Sequence, residues 1–354
     1  MITVTHFQRR PAPGQVSIER VFAELRATLP SYIRCTVRLS PYSNRGVVPR
    51  MANLLDAAQS RGVINHIVGD VHYLALATPR SRTMLTIHDC VSLERLRGLK
   101  QTFFRWIWYL LPLRHAALVS VVSESTKREL LRHVRCDPTK IRVIHNCVGS
   151  DFSPSFRPFN KANPVVLQVG TGSNKNLERV ATALRGIHCT FKIIGPLSAQ
   201  QQRSLRDRNS AFVNLPQLSN SELVQAYREA DLVVFASTYE GFGLPILEAN
   251  ATGRPVITSQ LLSMPEVAGA AACFVDPFEI GSIRAGLLRV LGNANYRRYL
   301  VAAGFENVKR FAAASIAARY ADAYEEILSL GKRAEISKGC SHDLANVWPA
   351  RSIS

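Results

Sequence analysis

The chain has 354 residues, 47% hydrophobic and 20% charged, enough apolar material for two ordinary globular domains and too much for a disordered protein. Its formal charge of +18 is uneven: residues 1–150 carry 22 of the 44 Lys and Arg but only 9 of the 26 Asp and Glu. A basic first half suits nucleic acid, an anionic membrane or a phosphorylated substrate; no zinc-finger spacing, RNA-binding consensus or basic recognition helix accompanies it, so nucleic acid is set aside.

In chain order, strand-like runs fall at Ile2–Thr5, Ile33–Leu39, Val63–Val68, Thr83–Ile87, Leu118–Val122 and Ile141–Ile144. Helical patterns lie between them, as at Ser17–Leu29, where Ile18, Val21, Phe22 and Leu25 share one face. Arg9, Arg10 and Pro11 stand where a secretory signal would carry its apolar segment, which predicts a cytoplasmic protein. The apolar run Trp106–Leu113 stops at Arg114 and His115, far short of the roughly 20 residues a spanning helix requires. Residues 151–164 hold three prolines and read as a linker. The alternation then restarts, with strands at Val165–Val169, Thr190–Ile194, Phe212–Leu215, Leu232–Ala236, Pro255–Thr258 and Ala272–Val275. Helices fit at 177–185, 198–207, 219–229, 244–252 and 278–293.

Strands followed by crossover helices predict an α/β protein of two doubly wound, Rossmann-like parallel-sheet domains, with ligands in the cleft between them. The expected divisions are an acceptor-side domain at 1–155, a donor-binding domain at 162–310, a helix at 311–331 packing back on the first domain, and a disordered polar tail at 332–354. Seven cysteines, odd in number and never spaced as Cys-x-x-Cys, argue against a disulfide framework or zinc site.

The segment Ser237-Thr-Tyr-Glu-Gly-Phe-Gly-Leu-Pro-Ile-Leu-Glu-Ala-Asn-Ala-Thr-Gly-Arg-Pro-Val-Ile-Thr258 carries the most chemistry. Gly241 and Gly243 allow a tight turn, and Pro245 suits the first turn of a helix. Such a turn feeding a helix N-terminus favours a phosphate, and Glu240 and Glu248 flank it as acceptors for sugar hydroxyls. Two further segments follow strands: Val169-Gly-Thr-Gly-Ser-Asn-Lys-Asn-Leu177 and Thr86-Ile-His-Asp89. Gly170-x-Gly172 lacks the third glycine and the later acidic residue of a dinucleotide fingerprint.

Together these segments resemble the Glu-x7-Glu signature and its companions in the retaining family-4 glycosyltransferases of the GT-B fold, over roughly residues 60–310. The resemblance implies that Glu240 contacts donor-sugar hydroxyls and Glu248 the ribose. The backbone at Gly241, Phe242, Gly243 and Leu244 would help hold sugar and phosphates. Lys175 would neutralise the pyrophosphate beside Gly170; where the family often has arginine, this chain has Thr171. His88 would reach the donor sugar from across the cleft, while Asp89 either orients His88 or caps the next helix. The same resemblance implies a metal-independent transfer with no cofactor beyond the nucleotide-sugar, to a saccharide or lipid-linked saccharide acceptor in surface polysaccharide synthesis.

His66-Ile-Val-Gly-Asp-Val-His72 gathers two histidines and an aspartate; metal ligation is conceivable, but Asp70 and His72 are assigned to the acceptor side. Arg95, Arg97, Lys100, Arg105, Trp106, Trp108 and Tyr109 form a basic, aromatic segment expected to dock on an anionic membrane, at its inner face, or beside a lipid-phosphate acceptor. The rival functions are a nicotinamide-dependent oxidoreductase, which wants the missing glycine fingerprint, and a basic scaffold protein, which does not want a carboxylate-flanked phosphate turn.

Overall fold

The computed structural model describes residues 1–10, 17–95, 98–207 and 212–345. The first six strands are β1 (Ile2–Gln8), β2 (Ile33–Leu39), β3 (Ile64–Ile67), β4 (Thr83–Ile87), β5 (Leu118–Val121) and β6 (Ile141–Val143). They pair in parallel in the order β2-β1-β3-β4-β5-β6. The second set is β7 (Val165–Val169), β8 (Thr190–Ile194), β9 (Phe212–Leu215), β10 (Leu232–Phe235), β11 (Val256–Ser259) and β12 (Ala272–Val275). It forms a second parallel sheet in the order β12-β11-β10-β7-β8-β9.

Helices cover both faces of each sheet, so in central strands such as β4 and β10 successive residues are all buried but enter different cores. On β4, Met84 joins Val4, Ile64 and Phe22 on one side, while Leu85 and Ile87 join Phe7, Val119 and Leu113 on the other. On β10, Val233 and Phe235 pack with Ile246 and Tyr227, and Leu232 and Val234 with Val180 and Leu287. This is why the strands read as unbroken apolar runs rather than as alternating patterns.

The helix Ala313–Ala345 packs on the first sheet, with Ile316, Tyr320, Tyr324 and Ile327 beside Val4 and Phe22. A buried polar ladder fastens it there. The Tyr324 hydroxyl lies 2.9 Å from His6 Nε2 and 2.8 Å from His66 Nδ1. His66 Nε2 reaches Thr86 Oγ1 at 2.7 Å, and Thr86 meets Ser120 Oγ at 2.6 Å. His66 is therefore a core residue; among the described residues no group of three His, Cys, Asp or Glu side chains is arranged to hold a metal.

Two expectations are corrected. The tail expected to be disordered from 332 continues the preceding helix to Ala345, because extending an existing helix avoids the cost of nucleation; residues 346–354 lie outside the described residues. Within the basic aromatic segment, a π-helical turn at Arg105–Leu110 rotates Trp108 and Tyr109 inward, where they are buried. Trp108 stacks on Phe104 and gives its indole N–H to Asp70 at 3.1 Å. Trp106 stays exposed, and Arg97 lies outside the described residues. No described helix is long and apolar enough to cross a membrane.

Candidate active site

In the second sheet the strand order reverses between β7 and β10, and a crevice at the carboxyl ends of these strands is where such sheets bind ligands. The loops leaving these two strands carry Gly170–Lys175 and Ser237–Gly243. Gly170 has φ +93°, and a Cβ there would lie 2.9 Å from Lys175 Cε, so the glycine leaves room for the lysine to fold back across the strand end. Asn176, in the left-handed conformation, gives its amide to Ala236 O at 3.0 Å and Pro277 O at 2.6 Å and so locks the turn behind the lysine. Thr171, in place of the family arginine, donates to Pro196 O at 2.5 Å.

Lys175 Nζ reaches Glu240 Oε1 at 2.6 Å and lies 4.7 Å from the centre of the Phe235 ring. Asn174 Nδ2 adds a 3.2 Å bond to the same carboxylate oxygen. Beyond Glu240 the chain turns into the helix Leu244–Thr252, with Gly243 as N-cap and no side chain capping it. The first amides and the dipole of a helix N-terminus favour an anion. Phe242 is buried between His145 and Phe311, leaving only its backbone on the turn.

Glu248 lies inside this helix and is 4% exposed. Tyr227 donates to its Oε2 at 2.6 Å, and Arg20 Nη2, from the helix Ser17–Thr28 of the other domain, approaches Oε1 at 2.5 Å. Arg20 was not singled out by the sequence, where it is one charge on an amphipathic helix with no motif around it. Beside this pair is a cavity of about 280 Å³ reached by Arg20, Glu24, Asp151, Asn220 and Glu248.

The first domain meets the turn at Glu240–Gly243 closely. A Cβ on Gly241 would stand 1.9 Å from His88 O, and Gly241 O accepts from Ser123 Oγ at 2.7 Å and Thr126 Oγ1 at 3.0 Å. The glycine is thus demanded by contact between the domains rather than by approach to a ligand. Tyr239 donates to Glu129 Oε2 at 2.7 Å and accepts from Cys90 N at 3.1 Å. Glu266 accepts Glu124 N at 2.9 Å, Ser125 N at 3.3 Å and His145 Nε2 at 2.8 Å, capping a first-domain helix with a second-domain carboxylate.

His88 leaves β4 beside Gly241. Its Nε2 lies 2.8 Å from Val68 O, so that nitrogen carries the hydrogen and Nδ1 is the acceptor. Burial lowers its pKa to about 4, which keeps the ring neutral. Asp89 accepts from Val91 N at 3.0 Å and so caps the following helix; burial, with Asp70 and Glu240 adding negative charge, raises its pKa to about 6. Asp70 is exposed at the end of β3. His72 is corrected: it is 2% exposed, with Nδ1 3.1 Å from Trp108 O, so it positions the π-helical turn and offers nothing to an acceptor.

Residues 4–152 match the family described as Glycosyltransferase Family 4, and residues 150–307 match Glycosyl transferases group 1. O-antigen chain mannosyltransferase B of Escherichia coli is 28% identical over 233 residues, 59% of this chain and 61% of that protein. Serotype-specific mannosyltransferase WbdA of Escherichia coli is 24% identical over 281 residues, 72% of this chain and 34% of that protein. The chain thus spans about a third to three fifths of the length of these relatives. Among solved structures, sucrose-phosphate synthase from Thermosynechococcus elongatus superposes with a TM-score of 0.75 at 16% identity, covering 93% of this chain and 100% of that one. HepE of Anabaena, in complex with UDP and glucose, superposes with a TM-score of 0.72 at 17% identity, covering 92% and 100%. With both halves matched and both sheets superposed, the chain belongs to the family-4 glycosyltransferases of the GT-B fold.

Proposed function

We propose that the chain is a retaining hexosyltransferase that moves a hexose, foremost mannose, from a nucleotide-diphosphate sugar to a saccharide or lipid-linked saccharide during surface polysaccharide assembly. The observation that carries this reading is the Lys175–Glu240 pair, 2.6 Å long, set at the switch point of the second sheet beside a free helix N-terminus. The mannosyltransferase names of the relatives support the choice of sugar, and the UDP seen with HepE supports a nucleotide donor.

In this reading the donor diphosphate lies over Gly243 and Leu244, and Lys175 exchanges Glu240 for phosphate oxygens. Glu240, released, accepts from sugar hydroxyls, and neutral His88 accepts from another through Nδ1. Glu248 holds the ribose hydroxyls. The bond between the anomeric carbon and the phosphate oxygen breaks, the acceptor oxygen joins the same face, and its proton passes to the departing diphosphate. Lys175 and the helix amides stabilise the charge that develops there, with no metal required. The site faces the cytoplasm, and acceptors on lipid carriers bring it to the inner face of the membrane. Calorimetric titration with GDP-mannose, UDP-glucose, dTDP-glucose and ADP-glucose, followed by a product assay, tests the reading. Failure of every donor to bind at millimolar concentration overturns it.

A further inference from the structure

A cavity of about 640 Å³ opens at the edge of the second sheet opposite the donor site. It lies where β10 and β11 begin, lined by Asp231 just before Leu232 and by Pro255 just before Val256. The helix Leu244–Thr252 runs from the phosphate turn to this cavity, whose wall includes Gly253, and so separates the two by about 14 Å.

Four arginines and a single carboxylate line it: Arg157, Arg254, Arg297 and Arg298 against Asp231. Asp231 is already engaged, accepting Asn160 N at 2.9 Å and Val165 N at 2.8 Å, with Arg157 Nη2 at 3.7 Å. Arg297 is satisfied by Val290 O and Leu291 O and by the face of Phe159, 3.7 Å away. Arg254 differs from both. It is 4% exposed, it bonds Ser155 O through Nη2, and its Nε has no hydrogen-bond partner among the described residues. It makes no ion pair with a carboxylate there: the only opposite charge acting on it is Asp231, whose oxygens are already taken by Asn160 N, Val165 N and Arg157, and Arg157 adds a like charge. A guanidinium keeps its charge, so one buried with so little counter-charge is costly until an anion arrives. Exposed Arg298 stands on the same wall with one Nη2 bond to Asn295 Oδ1 at 2.5 Å, and Phe156, 86% exposed, meets Phe305 at a 6.2 Å ring separation to form an apolar flank.

We propose that this cavity binds a phosphate monoester carried on an apolar chain. Two guanidinia, Arg254 and Arg298, match the two charges and the planar oxygen edges of a phosphate monoester. The chain then lies along Phe156 and Phe305. The site is distinct from the donor site and does not depend on the reading of that site.

The test titrates the full chain calorimetrically with octyl phosphate, inorganic phosphate and octanol, with and without saturating GDP. Octyl phosphate binds about tenfold more tightly than inorganic phosphate, octanol does not bind, and GDP displaces neither phosphate. Arg298→Ala and Phe156→Ser, both at exposed positions outside the core, each weaken octyl phosphate about tenfold. The amphiphile is overturned if inorganic phosphate binds equally well. The site itself is overturned if octyl phosphate fails to bind at millimolar concentration, if GDP displaces it, or if either Arg298→Ala or Phe156→Ser binds it unchanged.

Discussion

Arg20 Nη2 stands 2.5 Å from Glu248 Oε1, so a side chain of the first domain holds the carboxylate assigned to the ribose in the second. The carboxylate side is 6% exposed and the arginine side 27%, which makes this a largely buried pair spanning the cleft. Ribose hydroxyls can reach Glu248 only by sharing it with, or displacing, that guanidinium.

Replacing Arg20 therefore has two readouts. Arg20→Ala leaves Glu248 buried with Tyr227 alone and lowers stability by about 2 kcal/mol, below the cost of a fully buried pair because the arginine is partly solvated. Saturating nucleotide-sugar then narrows the Tm gap between variant and parent, since the ribose supplies new donors to Glu248. A gap that is the same with and without donor contradicts the ribose assignment.

Lys175 and Glu240 exchange partners in the proposed reaction, so neither substitutes for the other. Lys175→Ala and Glu240→Ala each lower kcat by about 100-fold, the scale for losing one preorganised charge-stabilising group, while circular dichroism stays native. Initial-rate kinetics with the donor found by titration decide this; turnover within a few-fold of the parent in either variant removes the pair from the mechanism.

Gly241→Ala tests the fit between domains. The added methyl meets His88 O, a backbone atom that moves only with its domain. The cleft has to open, His88 withdraws from the phosphate turn, and kcat/KM falls about 100-fold, as for a misplacement near 1 Å. Small-angle scattering should show a larger radius of gyration; an unchanged radius with full activity would mean the loop yields instead.

The strands illustrate what could be read before the fold was known. Thr83–Ile87 and Val165–Val169 begin and end where the apolar or β-branched runs do, because strands flanked by helices on both faces carry mostly apolar side chains and no charge to blur their limits. Lys175, Glu240 and Glu248 could be singled out because each belongs to a segment that follows a strand and is marked by glycine or proline, while their hold on a donor is part of the proposal. Arg20 was not, since it meets Glu248 across 228 positions, a distance at which local pattern says nothing. His72 shows the opposite failure. Its residue type suggested chemistry, while its burial against Trp108 depends on a π-helical turn that no periodicity announces.

Metal removal separates two ways of neutralising the diphosphate. With Lys175 and the Leu244 helix amides assigned to the phosphates, transfer persists within about twofold after dialysis against EDTA, and added Mg2+ does not restore Lys175→Ala. Loss of activity in EDTA with recovery on adding Mg2+ or Mn2+ shows that a cation shares the lysine's work.

Stability should fall on the acid side, and the sign follows from the buried histidines. Burial, with Arg26 adding to it, lowers the His6 pKa to about 3; burial lowers His88 to about 4; burial, with His6 and His88 adding to it, takes His66 well below its ordinary value. All three stay neutral in the fold while the unfolded chain takes up protons below about pH 6.5. Their stabilisation is complete above that pH and is lost as pH falls toward the folded values. At pH 5 each contributes about 2 kcal/mol less than at pH 7.5. Asp89 acts in the other direction: its pKa of about 6 exceeds the unfolded value, so the fold holds a proton between about pH 6 and 4 and offsets about 1 kcal/mol of the loss. Urea midpoints measured from pH 7.5 to 5 should therefore decline, and Tyr324→Phe, which removes the hydroxyl between His6 and His66, should start lower and still show the decline. A midpoint that is level across this range would show that the ladder beneath the C-terminal helix accepts protons while folded.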